Sequence, residues 1–172
     1  MTRRVIVAVL ALVLAAAAGC SSAKSSGTSA AVTFNGVTVQ NPTDLKHQPK
    51  ISSAGSSAPT TLEYHDLVVA TGAAATPTAT VNVRYDGVIY ANGSEFDASW
   101  KSGSSPVSFP LTGVVPGFTQ GIGGTSGVPA MKVGGRRIMI LPPALGYPDG
   151  TPDGSIPPNT PIVFVVDLVS IG

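Results

Sequence analysis

Cysteine is almost missing from this chain: Cys20 is the only one in 172 residues. A lone cysteine excludes an internal disulfide framework. Histidine is nearly as scarce, and His47 and His65 have no partner at ligand spacing, so nothing suggests a metal site. Charge is thin too, with 11% charged residues and a formal net charge of +1. No basic run is long enough to make a phosphate-binding face, so a nucleic-acid partner is not expected. No Gly-Lys-Ser/Thr occurs, which removes the P-loop. The stretch GIGGTSG, residues 121 to 127, is glycine-rich, but Ser126 breaks the dinucleotide spacing. No serine sits in a nucleophile elbow. Hydrolase, kinase and metalloenzyme readings therefore lose their warrant, and no cofactor is implied. Strong helix formers are also scarce beyond the N-terminus. What replaces them is Val, Thr, 20 Gly and 15 Pro, a composition of strands and turns.

The first twenty residues stand apart. Arg3 and Arg4 precede VIVAVLALVLAAAA, residues 5 to 18, and then Gly19 and Cys20. A basic start, a short apolar stretch and small residues at its end describe a secretory signal over 1–19. A transmembrane helix needs about 20 apolar residues, and this run is shorter. Ala17-Ala18-Gly19-Cys20 resembles the lipobox of bacterial lipoproteins, with Ala17 where Leu is commonest. That resemblance implies lipidation of Cys20 and a chain held at the outer face of the bacterial cytoplasmic membrane or cell envelope. Ordinary cleavage after a small residue, leaving a free thiol, is the alternative. With Arg3 and Arg4 removed, acids outnumber bases by one, so an acyl group rather than charge would do the holding.

Residues 20–61 read as a lipid-anchored flexible tether. SSAKSSGTSA, residues 21 to 30, is small and polar. AVTFNGVTVQ, residues 31 to 40, alternates weakly, so an ordered lead-in from about Val32 stays open. NPTDLKHQPKISSAGSSAPTT, residues 41 to 61, returns to turn and linker chemistry. The compact domain is expected over 62–172. Its strand candidates are 62–70, 79–85, 136–141 and 162–171. In 79–85, Val81, Val83 and Tyr85 share one face. The 162–171 segment is apolar on both faces for most of its length and should lie centrally in a sheet. PGFTQGI, residues 116 to 122, is the best helix site, opened by Pro116 and stopped by Gly121, Gly123 and Gly124. The expected fold class is α+β, an antiparallel sheet covered on one face by one short helix.

GSEFDASW, residues 93 to 100, places Asp97 directly after Phe96. Taken alone, it is a turn. The surrounding segments change that. VNVRYDGVIYANGSEFDASW (81–100), PVSFPL (106–111), VVPGF (114–118), MKVGGRR (131–137), LPPALGY (141–147) and GSIPPNTPIVFVVDLVSI (154–171) follow one another in an order and spacing that resembles the FKBP-type peptidyl-prolyl isomerases. The resemblance spans about 110 residues. It implies an antiparallel sheet wrapped around one short helix, and an apolar pocket with Asp97 at its rim. Tyr85, Phe96, Asp97 and Tyr147 match catalytic positions. Phe109, Val114, Val115, Phe118, Ile156 and Phe164 match the walls and floor. Tyr85 would donate a hydrogen bond to Asp97. Three departures stand out: Phe118 where the family usually has Trp, Val107 where an aromatic is common, and GTSGVPA (124–130), which looks inserted.

What the resemblance implies is rotation about X-Pro bonds in exported proteins, with proline-containing polypeptides as substrates, macrolides as ligands, and a monomer. Rotation breaks no bond, so the absence of a nucleophile fits. Two alternatives remain open: a non-catalytic module or chaperone for Pro-containing segments, and an envelope lipoprotein without a ligand. Asp97 either polarises the substrate carbonyl or only fixes Tyr85.

Overall fold

The computed structural model describes residues 29–172 apart from positions 54 and 56; the signal segment and Cys20 lie outside the described residues. In chain order the elements are β1 (Val32–Phe34), β2 (Val37–Gln40), β3 (Lys50–Ser53), β4 (Glu63–Val68), β5 (Thr80–Ile89), β6 (Glu95–Ala98), β7 (Val107–Pro110), α1 (Pro116–Gly123), β8 (Arg136–Leu141) and β9 (Ile162–Ile171).

The main sheet is antiparallel, ordered β4-β8-β9-β5-β6, with β7 also paired to β5. One edge of β5 pairs with β9 from Val81 to Ile89. Its other edge is shared, with β7 along Thr80–Val83 and β6 along Asp86–Val88. The strand predicted to stop at residue 85 thus runs on through Gly87 to Ile89, because both neighbours continue to supply backbone partners.

β9 is apolar on both faces because it divides two cores. Ile162, Phe164, Val166 and Leu168 pack with Met139, Leu141, Phe118 and Ile122 on the concave side under α1. Val163 and Val165 face the other way, with Ile138, Ile140, Val88 and Tyr90. Helix α1 opens with Pro116 at its first turn and buries Phe118 and Ile122, four residues apart and so on one face. Gly121 lies inside this helix instead of ending it. A Cβ there would stand 2.0 Å from Met139 Sδ, and one at Gly117 would stand 2.5 Å from Leu141 Cγ. The two glycines form the smooth face by which the helix sits down on β8.

The ordered lead-in left open from about Val32 is present, and order extends through Lys50–Ser53, inside the stretch read as turn and linker chemistry. β1, β2 and β3 form a separate three-stranded antiparallel sheet. Asn35 and Gly36 both have positive φ, at 45° and 78°, the geometry of a tight primed hairpin turn between β1 and β2. The turn chemistry of 41–49 is real: the Lys46 N–H donates to Asp44 Oδ1 at 3.0 Å. It connects strands instead of loosening the chain. Val37, Val39, Phe34 and Ile51 cover the outer face of the main sheet. That is why Ile138, Ile140, Val163 and Val165 are almost fully buried there.

Candidate functional site

The site begins with the end of β5. Tyr85 follows Val81 and Val83 on the concave face, where it is half-buried. Two residues on, Gly87 has no side chain for a steric reason. A Cβ at Gly87 would lie 2.6 Å from Phe96 Cζ and 2.8 Å from Phe164 Cε1. Its absence lets the rings of Phe96 and Phe164 meet edge to face, 5.6 Å between centroids. Phe118 from α1 meets Phe164 at 5.2 Å and Phe109 from β7 at 6.2 Å. Tyr85 stands edge-on to Phe109, Phe118 and Phe164 at 5.8, 6.3 and 6.1 Å. These are the favoured offsets of aromatic pairs, so the cluster holds its own shape.

The rings surround a cavity of about 390 Å³ on the concave side of the sheet. Tyr85, Phe96, Asp97 and Tyr147 line it, as do Phe109, Val114, Val115, Phe118 and Phe164. Of the ten residues singled out in the sequence, Ile156 does not line this cavity. It is 1% exposed, packs in the concave core, and contributes to an adjoining lobe shared with Phe96, Asp97 and Tyr147. Gly113, not anticipated from the sequence, completes the wall. Val107, noted as a departure, lies outside the lining. The 124–130 insertion does too. It closes on itself through two bonds between Thr125 and Val128, 2.9 and 3.0 Å long. Arg137 Nη1 pins it, donating to Pro129 O and Gly121 O, each at 2.7 Å.

Polarity inside the cavity is concentrated at one rim. Tyr85 Oη donates to Asp97 Oδ2 at 2.5 Å, and the Ala98 N–H donates to Asp97 Oδ1 at 2.9 Å. Both carboxylate oxygens are thus committed. Ser99 fixes the strand beneath: it accepts from the Tyr85 N–H at 2.9 Å and returns a bond to Tyr85 O at 3.3 Å. The sequence pattern gave no role to Ser99 or Gly87, although both lie in VNVRYDGVIYANGSEFDASW, residues 81 to 100. Burial and the Asp97 carboxylate together push the Tyr85 phenol above its ordinary value. Burial first, and the Asp97 charge second, raise Tyr147 as well. Both hydroxyls therefore stay protonated and able to donate at neutral pH.

A six-stranded antiparallel sheet packed on one short helix, with an aromatic cavity on the sheet's concave side, defines the FKBP fold class. The solved structure titled AtFKBP13 aligns with a TM-score of 0.61 and 31% identity, over 68% of this chain and 98% of that one. A protein of Corynebacterium glutamicum named "Probable FK506-binding protein" is 40% identical over 125 residues, covering 72% of this chain and 98% of its own length. The FKBP-type peptidyl-prolyl cis-trans isomerase FkpA of Escherichia coli is 37% identical over 122 residues, 71% of this chain and 40% of its own. Residues 72–169 match the FKBP-type peptidyl-prolyl cis-trans isomerase family as a whole. The chain belongs to that family, and it is a peptidyl-prolyl cis-trans isomerase.

Proposed function

We propose that the aromatic cavity takes up the proline ring of an exported polypeptide and accelerates rotation about the X-Pro bond by binding the twisted amide better than the planar one. The observation that supports this is the enclosure of one cavity by Tyr85, Phe96, Phe109, Phe118 and Phe164, with the Tyr85–Asp97 pair at its rim.

The barrier to amide rotation, roughly 18–20 kcal/mol, comes from resonance in the planar state. Twisting removes that resonance and reduces charge separation between oxygen and nitrogen. A less polar amide loses less on leaving water. An apolar cavity therefore favours the twisted form over the flat one, which is binding expressed at the transition state. The four phenylalanines supply the surface against the ring. The Val115 N–H, at the mouth of α1, and the Tyr147 hydroxyl hold substrate carbonyls. Asp97 acts chiefly by position: with one oxygen on Tyr85 and the other on the Ala98 N–H, it fixes the phenol that shapes the wall. Each tenfold in rate needs about 1.4 kcal/mol, so a few such contacts suffice for a useful acceleration.

In this reading Cys20 carries the lipid, and the enzyme works on clients outside the cytoplasmic membrane. The apolar run 5–18 after Arg3 and Arg4, ending at Gly19-Cys20, supports export and anchoring. Two or more acyl chains would hold the chain stably, one only weakly. FK506-like macrolides would occupy the same cavity. A protease-free isomerisation assay on a short X-Pro peptide tests the activity: acceleration blocked by FK506 is expected, and no acceleration by the intact protein would end the proposal. Fractionation of cells expressing wild type and Cys20→Ser tests the anchor, with the variant expected to leave the membrane fraction.

A further inference from the structure

The aromatic cavity does not end at its rim. Beyond Phe96, Asp97 and Tyr147, which face both spaces, lies a second lobe of about 450 Å³. Its far wall is the loop 151–156, and its floor includes Ile156. The lobe is large enough for a side chain, and it opens from the same three residues that border the proline site. An extended chain advances roughly 3.3 Å per residue, so a residue next to the proline reaches it.

The chemistry of the lobe is one-sided. Asp97 and Asp153 are the charged residues on its lining, and neither lysine nor arginine contributes. Asp153 is held in place by its own loop. Ser155 donates to Asp153 Oδ1 through its N–H at 3.1 Å and its hydroxyl at 2.8 Å. The loop is closed by Thr151, whose hydroxyl accepts from the Ile156 N–H at 3.0 Å, and whose N–H donates to Ile156 O at 2.9 Å. Hydrogen bonds from Thr151 and Ser155 lower the Asp153 carboxyl to about 2, so it is ionised at neutral pH. Asp97 has both oxygens engaged within the protein, whereas Asp153 is exposed and lines the lobe with its carboxylate. A cleft bearing one sign of charge concentrates ligands of the other sign.

We infer that Asp153 makes this isomerase selective for X-Pro segments carrying a lysine or arginine next to the proline. The inference rests on the isomerase reading of the neighbouring cavity and names the substrate class for it. Ile156 and Phe96 supply apolar surface for the side-chain stem, and the Asp153 carboxylate accepts from its charged head.

The test measures kcat/KM for two peptide series that differ only in the residue before, or the residue after, the proline: Lys, Leu or Glu. In the intact protein the order expected in one series is Lys above Leu above Glu, with a Lys-to-Leu ratio of about three, the scale of a single exposed ion pair. Asp153→Asn keeps an acceptor for Ser155 and is expected to bring that ratio to one. Asp153→Lys is expected to place Glu above Lys. Salt gives a readout that needs no variant: the wild-type ratio should shrink toward one as sodium chloride approaches 1 M, where the screening length is about 3 Å. Equal rates for all three peptides in both series, or a ratio untouched by Asp153→Asn and by salt, would overturn the inference while leaving the isomerase intact. Failure to accelerate any peptide would instead remove the isomerase reading and the inference with it.

Discussion

Asp97 offers its two oxygens to two protein donors, Tyr85 Oη and the Ala98 N–H, which leaves little for a substrate to compete for. If it works by holding Tyr85, then Asp97→Ala and Tyr85→Phe break the same contact. Each should lower kcat/KM on a proline peptide by about tenfold, and the double variant should lose little more than either alone. Both single variants should retain the wild-type melting transition, because the pair lies at the open rim. Wild-type rates in Asp97→Ala would remove Asp97 from the mechanism; additive losses would give it a role separate from Tyr85. Gly87 is the less obvious residue. Any Cβ at 2.6 Å from Phe96 forces a ring to move. Gly87→Ala should therefore cost activity of similar size without touching a polar group, measured in the same assay. Asp97 and its aromatic neighbours were legible in the sequence because they sit in segments that keep their spacing. Gly113 was not, since a glycine in a wall leaves no chemical mark, and Ile156 was assigned to the cavity itself although its side chain packs beneath the adjoining lobe.

At the scale of elements, β8 and β9 could be read to the residue, as 136–141 and 162–171, because their apolar runs are bounded by glycine and proline. The two arginines that open β8 could not. Arg136 is 0% exposed and Arg137 2% exposed, against every expectation for a charged pair at a strand's start. The reason lies far along the chain. Arg136 Nε donates to Asp167 Oδ1 at 2.5 Å and its Nη2 to Asp167 Oδ2 at 2.8 Å, across from β9. Arg137 makes the same fork with Asp66 of β4, at 2.6 and 3.0 Å, and lies over the Tyr64 ring at 4.5 Å. No local pattern announces a partner that folding brings from another strand. Breaking such a buried pair strands a charge and costs about 3–5 kcal/mol. Asp167→Ala should lose that much stability by urea titration, whereas the exposed pair Lys101–Glu95, 3.1 Å apart, should matter by less than about 1 kcal/mol when Lys101 is replaced.

The described residues form an isomerase domain with a second small sheet fastened to its back. The family match starts at residue 72, after that sheet has ended. The attachment was hard to read because β3 offers only Ile51 as an apolar residue and sits among Ser, Pro and Gly; its partners Val37 and Val39 carry the buried face. Besides these apolar contacts, several polar contacts join the sheets: Tyr90 Oη donates to Asn35 O at 2.8 Å, and Ser53 Oγ donates to Tyr90 O. Gln48 Nε2 donates to Asp86 Oδ2 at 3.0 Å and to Glu95 Oε2 at 2.8 Å. Asp86 is 3% exposed, and its Oδ1 has no partner. Burial raises the Asp86 carboxyl to about 6; the Gln48 bond and Lys101 work against the shift, and the Glu95 carboxylate adds to it. Lys50 lines the same small cleft. The sign follows from proton binding. Between about 4 and about 6 the folded protein holds a proton that the unfolded chain has released, so stability falls as pH rises through that window and is level above it. Asp86→Asn keeps an acceptor for Gln48 without the charge. Its stability should match wild type near pH 4 and exceed it at pH 7.5 by on the order of 1–2 kcal/mol, read from urea midpoints at the two pH values. A gap between variant and wild type that stays constant across that range would mean that Asp86 is ionised and settled in the fold.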